Sequence, residues 1–573
     1  MSVIRKIEIR NFRALKKFDW RPSPGLNCLI GPGDSGKSSV LDAVDYCLGA
    51  RRNLQLSDAD FHNLNVTEPI SVTITIGRLD DALKNVETYG TYLRGYDAKT
   101  GNVAEEPETG LETALTLAMT VEADLEPKWA FVSARAAALG LSRNLNWADR
   151  QRLAPTCLGV FSENNLSWRR GSILNRVSEE RVDASAALVA AAREMRNAFG
   201  DKAKDQLADA LKIVADTANE LGIPVGAEVK AMLDAHSVSI SGGAISLHDE
   251  YGVPLKSLGL GSARLLIAGL QRRASESASI VVVDELEYGL EPHRIIRLID
   301  ALGAKEEVPP SQAFITTHSP VAVRELSVNQ LFIVREAEEE HTATCVGESP
   351  GVQGTVRLYP EAMLAPSVLV CEGASEIGLV RGLDQHFVSE GRQAITAIGI
   401  GLVDGGGTNT FIRANAFLSL GYRTAVIRDS DTVMTPELEQ AFRDGGGMVF
   451  SWEVGRALED ELFQSISTNG AKGLLDRAIA LKEVSLVNDH IKSVSANATD
   501  LETIQMDLIL DEITDDTRVL LGGAAKCGTG WFKNITAMEG VAREVVGPRL
   551  ADCAENFRNK IKSIFDWIAD DDE

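Results

Sequence analysis

Two pairs of acidic side chains, Glu372 with Glu376 and Asp429 with Asp431, are the residue types that bind a hard divalent cation. In Ser367-Val-Leu-Val-Cys-Glu372-Gly-Ala-Ser-Glu376 an apolar run ends in a Glu, a glycine turn and a second Glu one helical turn later, so both carboxylates can face one cavity. Thr424-Ala-Val-Ile-Arg-Asp429-Ser-Asp431 repeats the design with acids at i and i+2. Open α/β sheets put their sites outside the carboxyl ends of their strands. All-oxygen ligands there suit Mg²⁺ or Mn²⁺. Between the pairs, Gly405-Gly-Gly-Thr-Asn409 reads either as a turn approached by substrate backbone or as an ordinary surface loop.

A different phosphate chemistry is written upstream. Gly31-Pro-Gly33-Asp34-Ser35-Gly36-Lys37-Ser38-Ser39 follows an apolar run and opens a helical one. Backbone amides of such a loop cradle phosphates, Lys37 neutralises the terminal ones, and Ser38 can ligate magnesium. Ile280-Val-Val-Val-Asp284-Glu285 supplies the partner motif, an Asp to support magnesium and a Glu to polarise the attacking water. Thr316-Thr-His318-Ser-Pro320 ends the next strand with a histidine able to contact the γ-phosphate. Lys256-Ser257-Leu-Gly259-Leu-Gly261-Ser262-Ala-Arg264 is a Ser/Gly-rich turn that either offers amides and a hydroxyl to phosphate or is a plain helix cap.

The elements that must carry these groups are legible as periodicity. Ile4 to Ile9, Ile70 to Ile76 and Leu115 to Glu122 read as strands, and Leu26 to Ile30, Ile280 to Val283, Ala313 to Thr316 and Val368 to Val370 as buried ones. A helix is expected from Ser38 to Leu48. Gly90 to Gly110 reads as a surface insertion. Ser185 to Leu221 carries helical spacing, as two core helices or as a projecting pair used for dimerisation. Val238 to Leu247 reads as a hairpin turning at Gly242-Gly243. The segments expected are 1–165, 166–235, 236–360 and 361–573, with a domain boundary in the Pro-bounded stretch from Tyr359 to Pro366.

At 573 residues the chain exceeds one ordinary core, and roughly three to four packing units are expected. Its apolar content of 44% is ordinary for a globular protein, with only the acidic tail from Asp566 to Glu573 expected to fray. A net charge of −24 argues against a surface that coats nucleic acid indiscriminately. Local basic pairs such as Arg169 and Arg170 remain as candidate grooves or solvated faces. Seven scattered cysteines without a Cys-x-x-Cys pair predict reduced, mostly buried thiols in a cytoplasmic protein. No apolar run approaches the roughly 18 to 20 residues of a membrane span.

On these motifs the first part of the chain resembles the ABC-type ATPases of the RecF and SMC kind. Ile7-Glu-Ile-Arg-Asn11-Phe12-Arg13 looks like their first strand, Ser257, Gly259, Gly261 and Ser262 like their signature motif, Asp284-Glu285 like Walker B and His318 like their switch histidine. The loop carries Asp34 where those ATPases usually have Asn. The likeness implies ATP with Mg²⁺, and pairing of two heads in which one subunit's signature completes the other's nucleotide site. The second part resembles the Toprim fold, and the order ATPase then Toprim is similar to the overcoming-lysogenization-defect (OLD) family of nucleases, which includes the Gabija nuclease subunit. That resemblance implies an α/β chain: an ABC-type head with a helical dimerisation insertion, then a Toprim α/β domain.

The same resemblance implies that Glu372, Glu376, Asp429 and Asp431 hold Mg²⁺ or Mn²⁺, with Glu459 and Glu461 of Leu458-Glu459-Asp460-Glu461 completing a second position; the bland reading of those last acids is an exposed helix face. It also implies a late lysine near the scissile phosphate, Lys533 ahead of Lys526 in Lys526-Cys-Gly-Thr-Gly-Trp531-Phe532-Lys533, where the alternative is a surface turn pinned by Trp531. The function expected is an ATP-regulated, metal-dependent DNA endonuclease, a homodimer or homotetramer, acting in antiphage defence beside a helicase or other defence-system protein. The competing expectation is an ATP-driven clamp or sensor that binds DNA without cutting it.

Overall fold

The computed structural model describes residues 2–51, 54–159, 165–166, 172–174, 185–220, 223–226, 228–231, 247–273, 279–337, 340–347, 350–431 and 436–569. The chain divides into two compact units: Met1–Cys28, Gly36–Ala322 and Glu338–His341 form the first, and Leu29–Ser35, Val323–Ala337 and Thr342–Glu573 the second. The expected hairpin at Gly242-Gly243 and the Arg169-Arg170 pair lie outside the described residues.

Strands are numbered along the chain. Those of the first part are β1 (Val3–Phe12), β2 (Leu15–Trp20), β3 (Leu26–Ile30), β4 (Ile70–Gly77), β5 (Leu93–Tyr96), β6 (Val103–Ala104), β7 (Glu112–Val121), β8 (Pro127–Phe131), β9 (Thr156–Cys157), β10 (Ile280–Val283) and β11 (Gln312–Thr316). An antiparallel run has the order β6-β5-β7-β4-β1-β2, while β11, β10 and β9 are parallel neighbours. The alternation in β1 sets its register: Ile7 faces Ile74 and Ile9 faces Val72 across the β1–β4 ladder, all four buried. That pairing fixes which face of the sheet is apolar. The buried amide of Gln312 ties the two parts of the sheet together, accepting from Ile4 N (2.7 Å) and donating to Ile4 O (3.0 Å). The helix Lys37–Leu48 buries Val40, Leu41, Val44 and Leu48.

Gly90 to Gly110 is only in part the surface insertion its composition predicts, with 98–100 and 105–110 exposed. It contributes β5 and β6, because Tyr89, Tyr92 and Tyr96 are all buried. The rings of Tyr89 and Tyr92 pack on Phe131 at 5.4 and 5.5 Å, and the Tyr89 hydroxyl donates to Asp149 (2.6 Å). Glycine and threonine masked an aromatic anchor with a partner for its hydroxyl. The helices Ser185–Gln206 and Ala208–Glu220 leave Val189, Phe199 and Ile213 exposed, which fits a projecting pair better than a core pair.

β12 (Leu331–Ala337) and β13 (Glu340–Cys345) precede the second unit's own sheet, built from β14 (Ser367–Cys371), β15 (Ile400–Asp404), β16 (Arg423–Arg428) and β17 (Met448–Ser451). All pairs are parallel in the order β15-β14-β16-β17. β14, buried at every position, is central, as a continuous apolar run requires. The helix Ala374–Ser389 crosses Ile535–Val541 closely, and Gly378 and Gly382 permit it: a Cβ on either would lie 2.6 Å from Ile535 O or 2.3 Å from Glu539 O. The residues from Asp566 to Ala569, expected to fray, complete the helix Glu555–Ala569, with Ile568 buried and Trp567 O accepting from Arg423 (2.6 Å). All seven cysteines are free thiols, and Cys345 is the exposed one. Among the described residues no helix is long and apolar enough to cross a membrane.

Candidate functional site

The phosphate-binding loop takes the backbone shape its glycines allow. Gly31 has φ 145° and Gly36 φ 81°, with Asp34 also left-handed at φ 58°. A Cβ on Gly31 would lie 2.4 Å from Val334 O, so only glycine fits. The Ser35 hydroxyl closes the turn onto Pro32 O (3.0 Å). Gly33 has open space around it, which leaves room for a ligand's approach. Lys37 is buried at the helix start and Ser38 is exposed.

The end of β10 is organised around Asp284. Its Oδ1 accepts from Ser38 Oγ (3.0 Å) and Thr316 Oγ1 (2.6 Å), and Thr316 Oγ1 also accepts from Glu285 N (2.8 Å). One hydroxyl at the end of β11 therefore fixes the Asp and the neighbouring backbone together. Glu285 sits at φ 46° with its side chain exposed, a rarely populated conformation for a Glu that turns it out of the strand. His318 is exposed. Its N–H, together with the Thr317 hydroxyl, is held by Glu287 (2.8 and 2.6 Å). Ser257 and Gly259 are exposed before the helix Leu260–Arg273, while Gly261 packs so tightly on Gly289 O that a Cβ would approach to 2.4 Å. Ser262 accepts from Arg294 (3.0 Å).

In the second unit the strand ends bring the acids together as their spacing predicts. Glu372 follows β14, donates its N–H to Ile427 O (2.8 Å), and accepts from Asp429 N through Oε2 (2.8 Å). Glu376, only 3% exposed, caps its own helix by accepting from Gly373 N (3.0 Å). Asp429 follows β16 and accepts from Leu458 N (3.0 Å), the first residue of the helix Leu458–Ser465. Gly407 N donates to Glu372 O (2.9 Å), so the glycine turn lies against the same strand end.

These carboxylates repel one another. Burial, and then Glu372, Glu459 and Asp431, push Asp429 up to about 7. Burial, and then Asp429, Glu459 and Glu372, hold Glu376 well above the usual carboxylate range. Glu372 and Glu459 are raised as well, chiefly by burial, with Lys533 and Lys526 pulling Glu459 back. Glu459 Oε1 is buried with no hydrogen-bond partner. Clustered buried carboxylates with an orphaned oxygen favour a proton or a cation in their midst. Among the described residues no three His, Cys, Asp or Glu side chains converge as the ligands of one ion would. The backbone amides that hold Glu372, Glu376 and Asp429 keep them near one another without closing them on a point. Oxygen donors of this kind and charge suit a divalent cation chemically, but the side chains as placed do not form its ligand set.

The remaining candidates divide. The acids of Leu458–Glu461 are not an exposed helix face: Glu459, Asp460 and Glu461 are 2%, 7% and 1% exposed. Glu461 is occupied by Ser465 (2.9 Å), Glu453 N (3.2 Å) and Arg456 (3.3 Å), which separates it from the cluster. Asp460 pairs with Lys526. Lys533 is exposed, acts on Glu459, and makes no ion pair among the described residues. Trp531 is a core residue, fully buried and donating to His490 (3.1 Å).

Two groups escaped the motif reading. Thr316 reads in the sequence only as a strand end, and its role at the Asp-Glu pair comes from a contact 32 residues distant in the chain. Arg264 is 1% exposed and donates to the carbonyls of Asp284 (3.1 Å), Glu285 (3.1 Å) and Tyr288 (2.7 Å), and nothing in its spacing distinguished it from a helix-surface arginine.

Residues 26–324 match the model of the family described as "AAA domain, putative AbiEii toxin, Type IV TA system". The DNA replication and repair protein RecF of Nitrosococcus oceani is 46% identical over 55 residues, covering 10% of this chain and 15% of that protein. The OLD nuclease of Thermus scotoductus is 30% identical over 76 residues, 13% of this chain and 14% of that one. The matches therefore span only a small part of either relative. The Smc head domain with a coiled coil and joint from Pyrococcus yayanosii aligns over 61% of this chain and 98% of its own, at 13% identity and a TM-score of 0.34.

Proposed function

Since this chain belongs to the AAA-domain family whose model matches residues 26–324, we propose that it is an ATP-binding and ATP-hydrolysing protein that governs a divalent-metal-dependent DNA endonuclease centre in its second part. The observation that carries the nuclease reading is a set of carboxylates raised chiefly by burial, Glu372 and Asp429 at the ends of parallel strands with Glu376 and Glu459 in the first turns of helices beside them. Residues 361–573 correspond on this reading to a Toprim domain, and the biological role is antiphage defence.

In the ATPase part, Lys37 and the loop amides bind the phosphates, and Ser38 with Asp284 supports Mg²⁺. Glu285 orients the attacking water and His318 contacts the γ-phosphate. Thr316 holds Asp284 and the Glu285 backbone in place. The exposed Ser257-Leu-Gly259 segment is free to meet a second head, and the exposed apolar residues of Ser185–Gln206 and Ala208–Glu220 supply an interface for a homodimer or homotetramer. In the second part, Glu372, Glu376, Asp429 and Glu459 would hold Mg²⁺ or Mn²⁺, which when bound activates water and stabilises the leaving 3′ oxygen of a phosphodiester. Exposed Asp431 adds negative charge beside Asp429. Exposed Lys533 meets the substrate phosphate, while Lys526, engaged by Asp460, braces the helix that carries Glu459.

The test is incubation of supercoiled plasmid with the pure chain and Mg²⁺ or Mn²⁺, with and without ATP. Nicked or linear product is expected, lost in Glu372→Gln and Asp429→Asn while nucleotide binding persists. Cutting retained by both variants overturns the assignment. A second reading, an ATP-driven clamp that holds DNA without cutting, is favoured by one observation: the acids do not converge on a point. It predicts DNA retention with no product under every metal.

A further inference from the structure

β17 ends the second unit's sheet, and one face of the helix Glu555–Ala569 runs beside it. Between them lies an open groove of ≈ 1170 Å³. Its strand side is Met448 to Val454, and its helix side includes Asn556, Asn559, Lys560, Ser563 and Asp566.

The backbone of this edge is half used. Trp452 donates its N–H to Arg428 O (3.4 Å), in a ladder that pairs Ile427 with Phe450 and Arg428 with Ser451. In a parallel ladder alternate residues turn their N–H and C=O groups to the same neighbour. Met448, Phe450 and Trp452 therefore serve β16, and Val449 and Ser451 present theirs to the groove. An unpaired edge of this kind is a template for an added strand.

The walls specify what would be added. Trp452 lines the groove but is only 2% exposed, and its buried indole N–H has no acceptor. Lys560 lies over the Trp452 ring at 6.0 Å. Met448 at the start of the strand and Val454 three residues beyond its end, 49% and 96% exposed, offer apolar contact. Glu453 and Asp566 border the groove, and among the described residues neither makes an ion pair. Two carboxylates against one lysine make the groove complementary to a cation.

We propose that this groove is a docking site for an extended, lysine- or arginine-containing peptide segment of a partner protein, which joins the sheet as a fifth strand through the free groups of Val449 and Ser451. The edge exposes only two residues' worth of pairing groups. A short linear segment matches that footprint, whereas a stable interface between two copies buries about 1,200 Å² or more.

The experiment incubates the full-length chain with an array of nine-residue peptides that alternate apolar residues with lysine or arginine, glutamate, or serine. Ser451→Pro removes an outward N–H, at a position where an edge strand tolerates proline. The wild-type chain should retain basic peptides, and Ser451→Pro should weaken them at least about tenfold, the scale of one or two lost hydrogen bonds. Glu453→Lys with Asp566→Lys, which leaves the backbone untouched, should shift the preference to glutamate peptides even if the proline variant folds poorly. Four outcomes overturn the proposal: no peptide retained by the wild type above the proline variant, a wild-type preference for acidic or neutral peptides, an unchanged preference after the double reversal, or concentration-dependent dimerisation in sedimentation that Ser451→Pro abolishes.

Discussion

The two sites solve opposite electrostatic problems. At the end of β10, Asp284 receives hydroxyls from Ser38 and Thr316, and the Glu285 backbone is held by the same threonine. At the ends of β14 and β16 the acids face one another, with Asp429 raised to about 7 and Glu459 Oε1 left without a donor. The first site is satisfied by its own chain and is ready for a nucleotide. The second carries an unmet charge that only a cation or protons can relieve. On the proposed function, a chain with one site of each kind would bind nucleotide with its geometry already built and keep the second site inactive until an ion is bound.

The largest expected effect breaks the second site alone. Asp429→Asn or Glu372→Gln should reduce plasmid cleavage by about 10³-fold or more, since each removes charge from the centre proposed to hold the ion, with ATP turnover unchanged in a phosphate-release assay. Breaking the first site alone comes next: Lys37→Ala should weaken nucleotide binding about 100-fold by titration, given the strength of charge-assisted phosphate contacts, while metal binding by the carboxylates is unaffected. Thr316→Val should lower ATP turnover by roughly 30-fold, because two hydrogen bonds worth about 1 kcal/mol each are lost at Asp284 and Glu285. Equal turnover in that variant would mean that the Asp284 geometry is not set by the hydroxyl.

The smallest effect sharpens the electrostatic contrast. The raised carboxylates hold protons more tightly in the folded chain than in the unfolded one. Below about pH 4 both states are protonated and no penalty exists. As pH rises from there through about 7, the unfolded state ionises first and the folded state loses stability. In EDTA, urea unfolding of the wild type should therefore show lower stability at pH 8 than at pH 5, and Asp429→Asn should recover on the order of 2 kcal/mol at pH 8. A variant no more stable than the wild type at pH 8 would remove the case for mutual repulsion.

Much of this was legible in the sequence because the chemistry sits where periodicity stops. The apolar runs ending at Cys371 and Arg428 announced both strands and the acids after them, and Lys37 to Leu48 opened as a helix where the glycine loop ended. What stayed hidden depends on partners distant in the chain. Glu461 has the same spacing as Glu459 along one helix, yet Arg456 and Ser465 claim it and leave the other with an orphaned oxygen. Lys526 and Lys533 were separable only once Asp460 was seen to take the first. The strands within Gly90 to Gly110 stayed hidden because Tyr92 finds its partner, Phe131, far along the chain.

The most direct test of the central claim is calorimetric titration of the nucleotide-free chain with Mn²⁺ at pH 7 in buffers of different ionisation enthalpy. The wild type should bind Mn²⁺ and release protons, because the ion displaces those held by Asp429 and Glu376, and Asp429→Asn should lose both the affinity and the release. Mn²⁺ uptake identical in the two proteins, or no uptake by the wild type, would contradict the assignment of these carboxylates to a cation.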